Sequence, residues 1–157
     1  MHVAAWRGMK SLEGDRARQP WGMMALGLAL LMVCACAPSE PSIRVEGAWV
    51  RPTLDRAAAY MTIFNDGGAD DALVGAKTEA AASVSLHRTV QQGEMMGMEP
   101  VPRLETPAGD SVELKPLGLH LMLMDTKETL EPGQKLRIIL EFETSGEIAV
   151  EAEVRRQ

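Results

Sequence analysis

From residue 43 onward the sequence predicts an all-β fold, a sandwich or a barrel. Short runs of alternating apolar and polar residues recur along the segment, and clusters of Gly, Pro, Asn and Asp punctuate them. No long run keeps the 3.6-residue period of a helix. Residues 45–51 and 58–64 read as short strands, the second closed by Asn65-Asp66-Gly67-Gly68, a strong turn signal. Val84 and Leu86 then alternate with Ser83, Ser85 and His87, a half-buried strand with His87 on its polar face. Gln91-Gln92-Gly93-Glu94 breaks that strand. Pro107-Ala108-Gly109-Asp110 and Pro132-Gly133 are further turns. Residues 136–143 and 147–154 form a closing hairpin around Thr144-Ser145-Gly146. There is no internal repeat and no low-complexity tail.

The segment 117–124 predicts the most. Leu117, Leu119, Leu121 and Leu123 hold the odd positions, and His120, Met122 and Met124 the even ones. On a strand the two sets face opposite sides, so the leucines are expected in the core and the imidazole and thioethers on the other face. Side chains two apart on one face stand ~7 Å apart at their bases, close enough for His120 and Met122 to share one ion. Met124, one step further, is expected to shield the ion or serve as an auxiliary ligand.

Residues 1–35 differ from everything after them. Arg7, Lys10, Arg16 and Arg18 precede an apolar stretch from Trp21 to Ala37, the layout of a secretory signal. The stretch is at the short edge of the ~20 residues a spanning helix needs. Both cysteines follow it in Val33-Cys34-Ala35-Cys36, which resembles a bacterial lipobox with Cys36 as the lipidated residue. The expected organisation is a signal peptide over 1–35, a lipidated Cys36 and short linker over 36–42, and one β domain over 43–157. The product is an exported, periplasmic or cell-envelope lipoprotein tethered to the membrane by its lipid anchor.

The net charge of −6 becomes −8 once the leader's four cations and two carboxylates (Glu13, Asp15) are removed, since −6 − (4 − 2) = −8. No nucleic-acid partner is expected of so acidic a domain. With Cys36 lipidated, no disulfide, zinc–thiolate cluster or thiol redox motif is available to the mature chain.

Past residue 36 the chain has two histidines, His87 and His120, and six methionines, all but Met61 between Met95 and Met124. Met61 is ordinary core filler. Met95, Met96 and Met98 sit beside Gly93 and Gly97 in a polar, turn-rich stretch where core residues are not expected. Two imidazoles with two thioethers make a neutral, soft donor set; thioethers select Cu(I), and imidazole suits copper. The domain therefore reads as a copper-binding protein.

The spacing His87-x10-Met98-x21-His120-x-Met122 resembles the motif of the PCu(A)C family of periplasmic copper chaperones. The resemblance extends through Gly47-Ala-Trp-Val-Arg-Pro52, Ala58-Ala-Tyr-Met-Thr-Ile-Phe-Asn65, Val84-Ser-Leu-His87, Val112-Glu-Leu-Lys-Pro116 and His120-Leu-Met-Leu-Met124. It implies a single-domain, cupredoxin-like β-sandwich of Greek-key type that binds Cu(I) through His87, Met98, His120 and Met122. Met96 matches a methionine two places before the ligand and is a further auxiliary candidate, while Arg88 stands where some members carry methionine. The resemblance also implies delivery to the dinuclear copper site of cytochrome c oxidase, the partner being the oxidase's copper-bearing subunit or a Sco-type thiol chaperone. Some members carry a His- and Met-rich tail for a second copper. Here the last residues are Glu-Val-Arg-Arg-Gln, so one copper per domain is expected.

Three other readings make different demands. An electron-transfer cupredoxin requires a cysteine thiolate ligand, which the mature domain lacks. A copper storage or tolerance lipoprotein would share the site without the recipient, and a metal-free structural lipoprotein would use its methionines for packing alone. Catalysis is not expected: there is no paired-carboxylate motif, nucleophilic cysteine or phosphate loop to build it on.

Overall fold

The computed structural model describes residues 39–156. The expected signal segment and Cys36 lie outside the described residues. Ten strands follow in order: β1 (Ile43–Pro52), β2 (Arg56–Asn65), β3 (Asp71–Thr78), β4 (Ala81–Gln92), β5 (Met95–Pro100), β6 (Leu104–Thr106), β7 (Ser111–Leu114), β8 (Leu119–Thr126), β9 (Lys135–Phe142) and β10 (Gly146–Val154). No helix occurs among the described residues.

One hydrogen-bonded ladder runs β5-β4-β8-β2-β1-β10-β9-β3-β6, with β7 also paired to β2. The ladder curls until β3 packs against β4, so its two halves close over a shared core as a β-sandwich. Val50, Ile63, Leu73, Leu121, Leu123, Ile138, Leu140 and Val154 fill that core. Alternation explains the placement: in β9, Leu136, Ile138, Leu140 and Phe142 are buried at every second position.

Strand β1 joins the halves. Its register against β2 shifts between Glu46 and Trp49, around Gly47 at φ +62°. A bulge of this kind bends a strand and re-aims its side chains, and glycine takes the left-handed conformation without a Cβ penalty. Beyond it, Trp49 and Val50 pair with Tyr60 and Ala59 on one side and, in parallel, with Glu153 and Val154 on the other.

Asn65 ends β2 fully buried and satisfies its amide completely. Its Oδ1 accepts from the amides of Ser42 and Gly67 (both 3.1 Å), and its Nδ2 donates to the carbonyls of Ala69 (2.8 Å) and Thr106 (2.9 Å). The turn expected at residues 65–68 is therefore pinned from inside. Residues 39–42 lie against it so closely that a Cβ on Gly67 would come within 2.4 Å of the Glu40 carbonyl oxygen.

A second buried anchor is Asp71, whose carboxylate accepts from the amides of Ala72 (2.8 Å), Thr144 and Ser145 (both 2.9 Å). Burial opposes its ionisation, but the hydrogen bonds from Ser145, Thr144 and Ala72 outweigh it and hold the carboxyl below its ordinary range.

Candidate metal centre

Strand register brings the soft donors together on the outer face of the sheet. His87 on β4 lies directly opposite His120 on β8, and Ser85 opposite Met122. On the other side of β4, Thr89 is opposite Met98 on β5, and Gln91 opposite Met96. Residues at these positions share one face, while Val84, Leu86, Leu121 and Leu123 turn to the core. Strand β2 completes the face with Ala58 opposite Met122 and Arg56 opposite Met124. The short Ala58 side chain leaves room beside the thioether. His120, Met122, Met96 and Met98 line one open recess of about 380 Å³.

The two imidazoles are prepared differently. Their ring centroids are 6.2 Å apart and their planes differ by 24°. His120 is buried, with Nδ1 3.1 Å from the Gly118 carbonyl oxygen; as a carbonyl only accepts, Nδ1 carries the proton and Nε2 keeps a free lone pair. The carbonyl of Gly118 also accepts from the Thr89 amide (3.1 Å), which fixes the anchor to β4. His87 has Nε2 2.9 Å from the Ser85 hydroxyl, whereas its Nδ1 is buried with no hydrogen-bond partner. In the tautomer whose Nε2–H donates to Ser85, Nδ1 is a bare lone pair, the form of imidazole a metal ion needs. Burial, and then repulsion from His120, pushes the His87 imidazole below its ordinary pKa and favours that neutral form.

A row of rings flanks the site: Trp49 stands 4.5 Å from Tyr60, and Tyr60 6.4 Å from His120. Among the described residues no group of three or more His, Cys, Asp or Glu side chains converges. The donors gathered here are imidazoles and thioethers, which fit a soft monovalent ion and offer a hard divalent one little.

Two expectations need correction. Leu117 is not a core residue: it is 81% exposed, at φ +61°, in the turn between β7 and β8. Strand β8 begins at Leu119, because the chain leaves β2 after Leu114 and returns at Leu121, and Leu117 sits in the excursion. Met95, Met96 and Met98 do not lie in an irregular stretch; they form the edge strand β5, which pairs with β4 through the turn at Gly93-Glu94. Glycine and exposed methionines masked its period. They are exposed, as expected. Met61 is in the core, and Met124 is half-buried on the donor face.

Sequence reading missed Ser85 and Gly118. The signal for Ser85 was its place two residues before His87 on the same strand face; nothing local marked the Gly118 carbonyl.

A family model described as "Putative lipoprotein LpqE-like" matches residues 43–154. The chain belongs to the LpqE-like family. The family is of the PCuAC type, as the histidine and methionine spacing implied. A relative named "Putative lipoprotein Lxx21020", from Leifsonia xyli subsp. xyli, is 37% identical over 102 residues, which is 64% of this chain and 61% of that protein. The chain thus matches less than two thirds of that relative's length. The copper-bound PCuAC domain from PmoF2 superposes with a TM-score of 0.63 at 27% identity, covering 73% of this chain and 93% of that domain. The solution structure of CuI-DR1885 from Deinococcus radiodurans gives 0.58 at 34% identity, covering 83% and 87%. These likenesses fix the fold of this LpqE-like chain as the cupredoxin-like β-sandwich of PCuAC domains.

Proposed function

We propose that this LpqE-like chain is an exported, lipid-anchored Cu(I) carrier that holds one ion through His87, Met98, His120 and Met122. The observation that carries the reading is the orphaned, buried Nδ1 of His87 opposite an anchored His120, on a sheet face that also carries Met122 and Met98. A buried nitrogen without a partner costs about 1–3 kcal/mol, and a bound ion would remove that penalty. That the PmoF2 domain and DR1885 have copper-bound structures supports copper as the ion. Residues 1–35 act as the signal, Cys36 carries the lipid, and 43–157 form the copper domain.

Copper is cargo here, so the site must hold the ion and also release it. The imidazoles supply firm nitrogen donors, each fixed by a hydrogen bond through its other nitrogen. The thioethers add soft, uncharged donors that keep their lone pairs at any physiological pH. Thiolates of an acceptor outcompete such a set, so transfer runs from this protein to a thiolate-rich site. Oxidation to Cu(II), which prefers tetragonal N/O coordination, loosens the ion. We assign the recipient as the dinuclear copper site of cytochrome c oxidase, reached directly or through a Sco-type thiol protein.

Anaerobic titration of Cu(I) against a chromophoric competitor tests the site. One-to-one binding by the wild-type protein, lost in a His120→Ala, Met122→Leu variant, is expected. If the wild-type protein fails to compete for the ion, the carrier reading is wrong and the thioethers are packing. For the recipient, a deletion strain grown at low copper is expected to lose oxidase copper. Unchanged oxidase copper would redirect the reading to storage or tolerance.

A further inference from the structure

We propose that the turn bearing Leu117, with Arg51 and Arg56, is the docking surface for the copper acceptor, a protein with an acidic, partly apolar patch around its own copper site. The inference rests on the carrier reading above and adds to it the kind of surface the acceptor must present.

The first observation is a strained apolar side chain with no internal reward. Lys115-Pro116-Leu117-Gly118 closes through hydrogen bonds from the Gly118 amide to the Lys115 carbonyl (3.0 Å) and from the Lys115 amide to the Leu119 carbonyl (2.8 Å). Leu117 follows the proline at φ +61°, a position turns usually give to glycine or asparagine. For a leucine that conformation costs roughly 1–2 kcal/mol. Burial commonly repays such strain, yet Leu117 is 81% exposed. The same turn supplies the Gly118 carbonyl that anchors His120, so the exposed leucine stands on the frame of the metal centre.

The second observation is composition. Leu117, Met96 and Met98 are three of the six large apolar side chains exposed among the described residues, and all three line the recess that holds His120 and Met122. Apolar anchors and methionine, with arginine alongside, are what the centres of protein interfaces use.

The third is charge. The described residues are acidic overall, and half of their cations are matched by carboxylates: Arg44 with Asp66, Lys77 with Glu147, Arg103 with Glu143, Lys115 with Glu113, Lys135 with Glu151 and Arg155 with Glu153. The lining of the recess holds Arg51 and Arg56 and no carboxylate. Arg51 has no ion-pair partner among the described residues and lies 5.8 Å over the Tyr60 ring; Arg56 has only an exposed contact of 3.7 Å to Asp55. Two loosely held guanidiniums beside an apolar anchor, on an otherwise acidic domain, complement an acidic rim. They also repel nothing that a copper acceptor with carboxylates near its site would bring.

The test is stopped-flow transfer of Cu(I) from the loaded protein to two acceptors, the soluble copper domain of the oxidase subunit and a small chromophoric chelator. Leu117→Asn keeps a residue that tolerates the left-handed conformation, and Arg51→Gln with Arg56→Gln removes the charge without touching the turn. Copper stoichiometry and affinity are measured first, and both variants are expected to match wild type. Each is then expected to slow transfer to the protein about tenfold, the scale of an interface hot spot, with no change towards the chelator. The arginine variant is also expected to lose the decline in rate that wild type shows with rising salt. Wild-type transfer rates in both variants would overturn the proposal, as would slowing of equal size towards the chelator. Sedimentation showing that Leu117→Asn abolishes a dimer of this chain would overturn it too, by giving the surface a different occupant. A wild-type protein that yields copper to the chelator and never to the protein removes the docking surface and leaves copper binding standing. One that holds no copper removes the carrier reading itself.

Discussion

Replacing His87 with leucine is expected to stabilise the copper-free protein while abolishing copper binding. His87 is half-buried, its Nδ1 is buried without a partner, and its single hydrogen bond is to Ser85, an exposed hydroxyl that water can satisfy. Removing the orphaned nitrogen recovers about 1–3 kcal/mol, and losing the Ser85 bond costs about 0.5–1.5 kcal/mol. The balance is a gain of about 1 kcal/mol, which for a domain of this size raises Tm by ~4 °C. Saturating Cu(I) should reverse the order: at a thousandfold excess over Kd the ion stabilises wild type by about 4 kcal/mol and the variant not at all. Thermal unfolding of both proteins, with and without Cu(I) under anaerobic conditions, reads all four states. A copper-free His87→Leu protein destabilised by ~1 kcal/mol or more would refute the reasoning, because the imidazole would then be a packing residue.

Other perturbations probe the supports of the site and fold. Ser85→Ala is expected to weaken Cu(I) binding and to cost about 0.5–1.5 kcal/mol of unfolding stability, the worth of the lost hydrogen bond; nitrogen chemical shifts of His87 in wild type should show Nε2 protonated, and an Nδ1–H form would contradict the assignment. Cu(I) affinity should hold from pH 8 to about 6 and fall below it, since each imidazole ligand must be neutral; a flat profile from pH 7 to 5 would exclude the histidines as ligands. The depressed pKa of His87 has a second consequence with the same sign. The unfolded chain takes up a proton near pH 6.5 that the folded chain refuses, so copper-free stability should decline as pH falls through that range. Asp71→Asn should cost about 1–3 kcal/mol at neutral pH, because an amide nitrogen would face backbone donors. Asp71 is held below its ordinary pKa, so its contribution is present above ~4 and lost in acid, and denaturant curves of variant and wild type should converge there. Gly67→Ala should cost about 1–3 kcal/mol by pushing residues 39–42 off the turn; an unchanged denaturation midpoint would mean that segment is not held as described.

Long, regular strands were legible in the sequence and short or irregular ones were not. The alternation in 136–143 and 147–154, and the turns at residues 65–68 and 144–146, led straight to β9, β10 and the end of β2. Strands β6 and β7 have three and four residues, too few to establish a period, and Gly75 interrupts β3. The face assignment of His87, His120 and Met122 was readable because strand alternation is local. The opposition of His87 to His120 was not, because register between β4 and β8 is set by the whole core. Leu117 fitted the odd-position rule and broke it, since the rule assumes a strand and the chain turns there. The tautomers were invisible for a similar reason: Ser85 and the Gly118 carbonyl act through geometry that composition does not encode.

The way the donors are distributed bears on how a carrier can both grip and release. His120 and Met122 lie on β8, hydrogen-bonded on both sides by β4 and β2, and His87 lies on β4, between β8 and β5. These positions are in the interior of the ladder, where a strand cannot shift without breaking two sets of bonds. Met98 is different: it sits on β5, the terminal strand of the ladder, bonded to β4 alone and 56% exposed. Exposed backbone bonds with little buried contact belong to the low-stability end of a fold, so β5 can open without disturbing the core. In the proposed ligand set, then, two imidazoles and one thioether form a fixed seat, and the fourth donor rides on the most easily displaced strand. Release would begin at Met98, where an incoming acceptor thiolate can replace a thioether that is already at the surface. The neighbouring Met96, on the same face of β5, offers a second thioether to hold the ion while Met98 is away. A Met98→Leu variant should therefore still bind Cu(I), more weakly, and exchange it faster, whereas His120→Ala should not bind it; equal losses in the two variants would contradict a fixed seat with one movable donor.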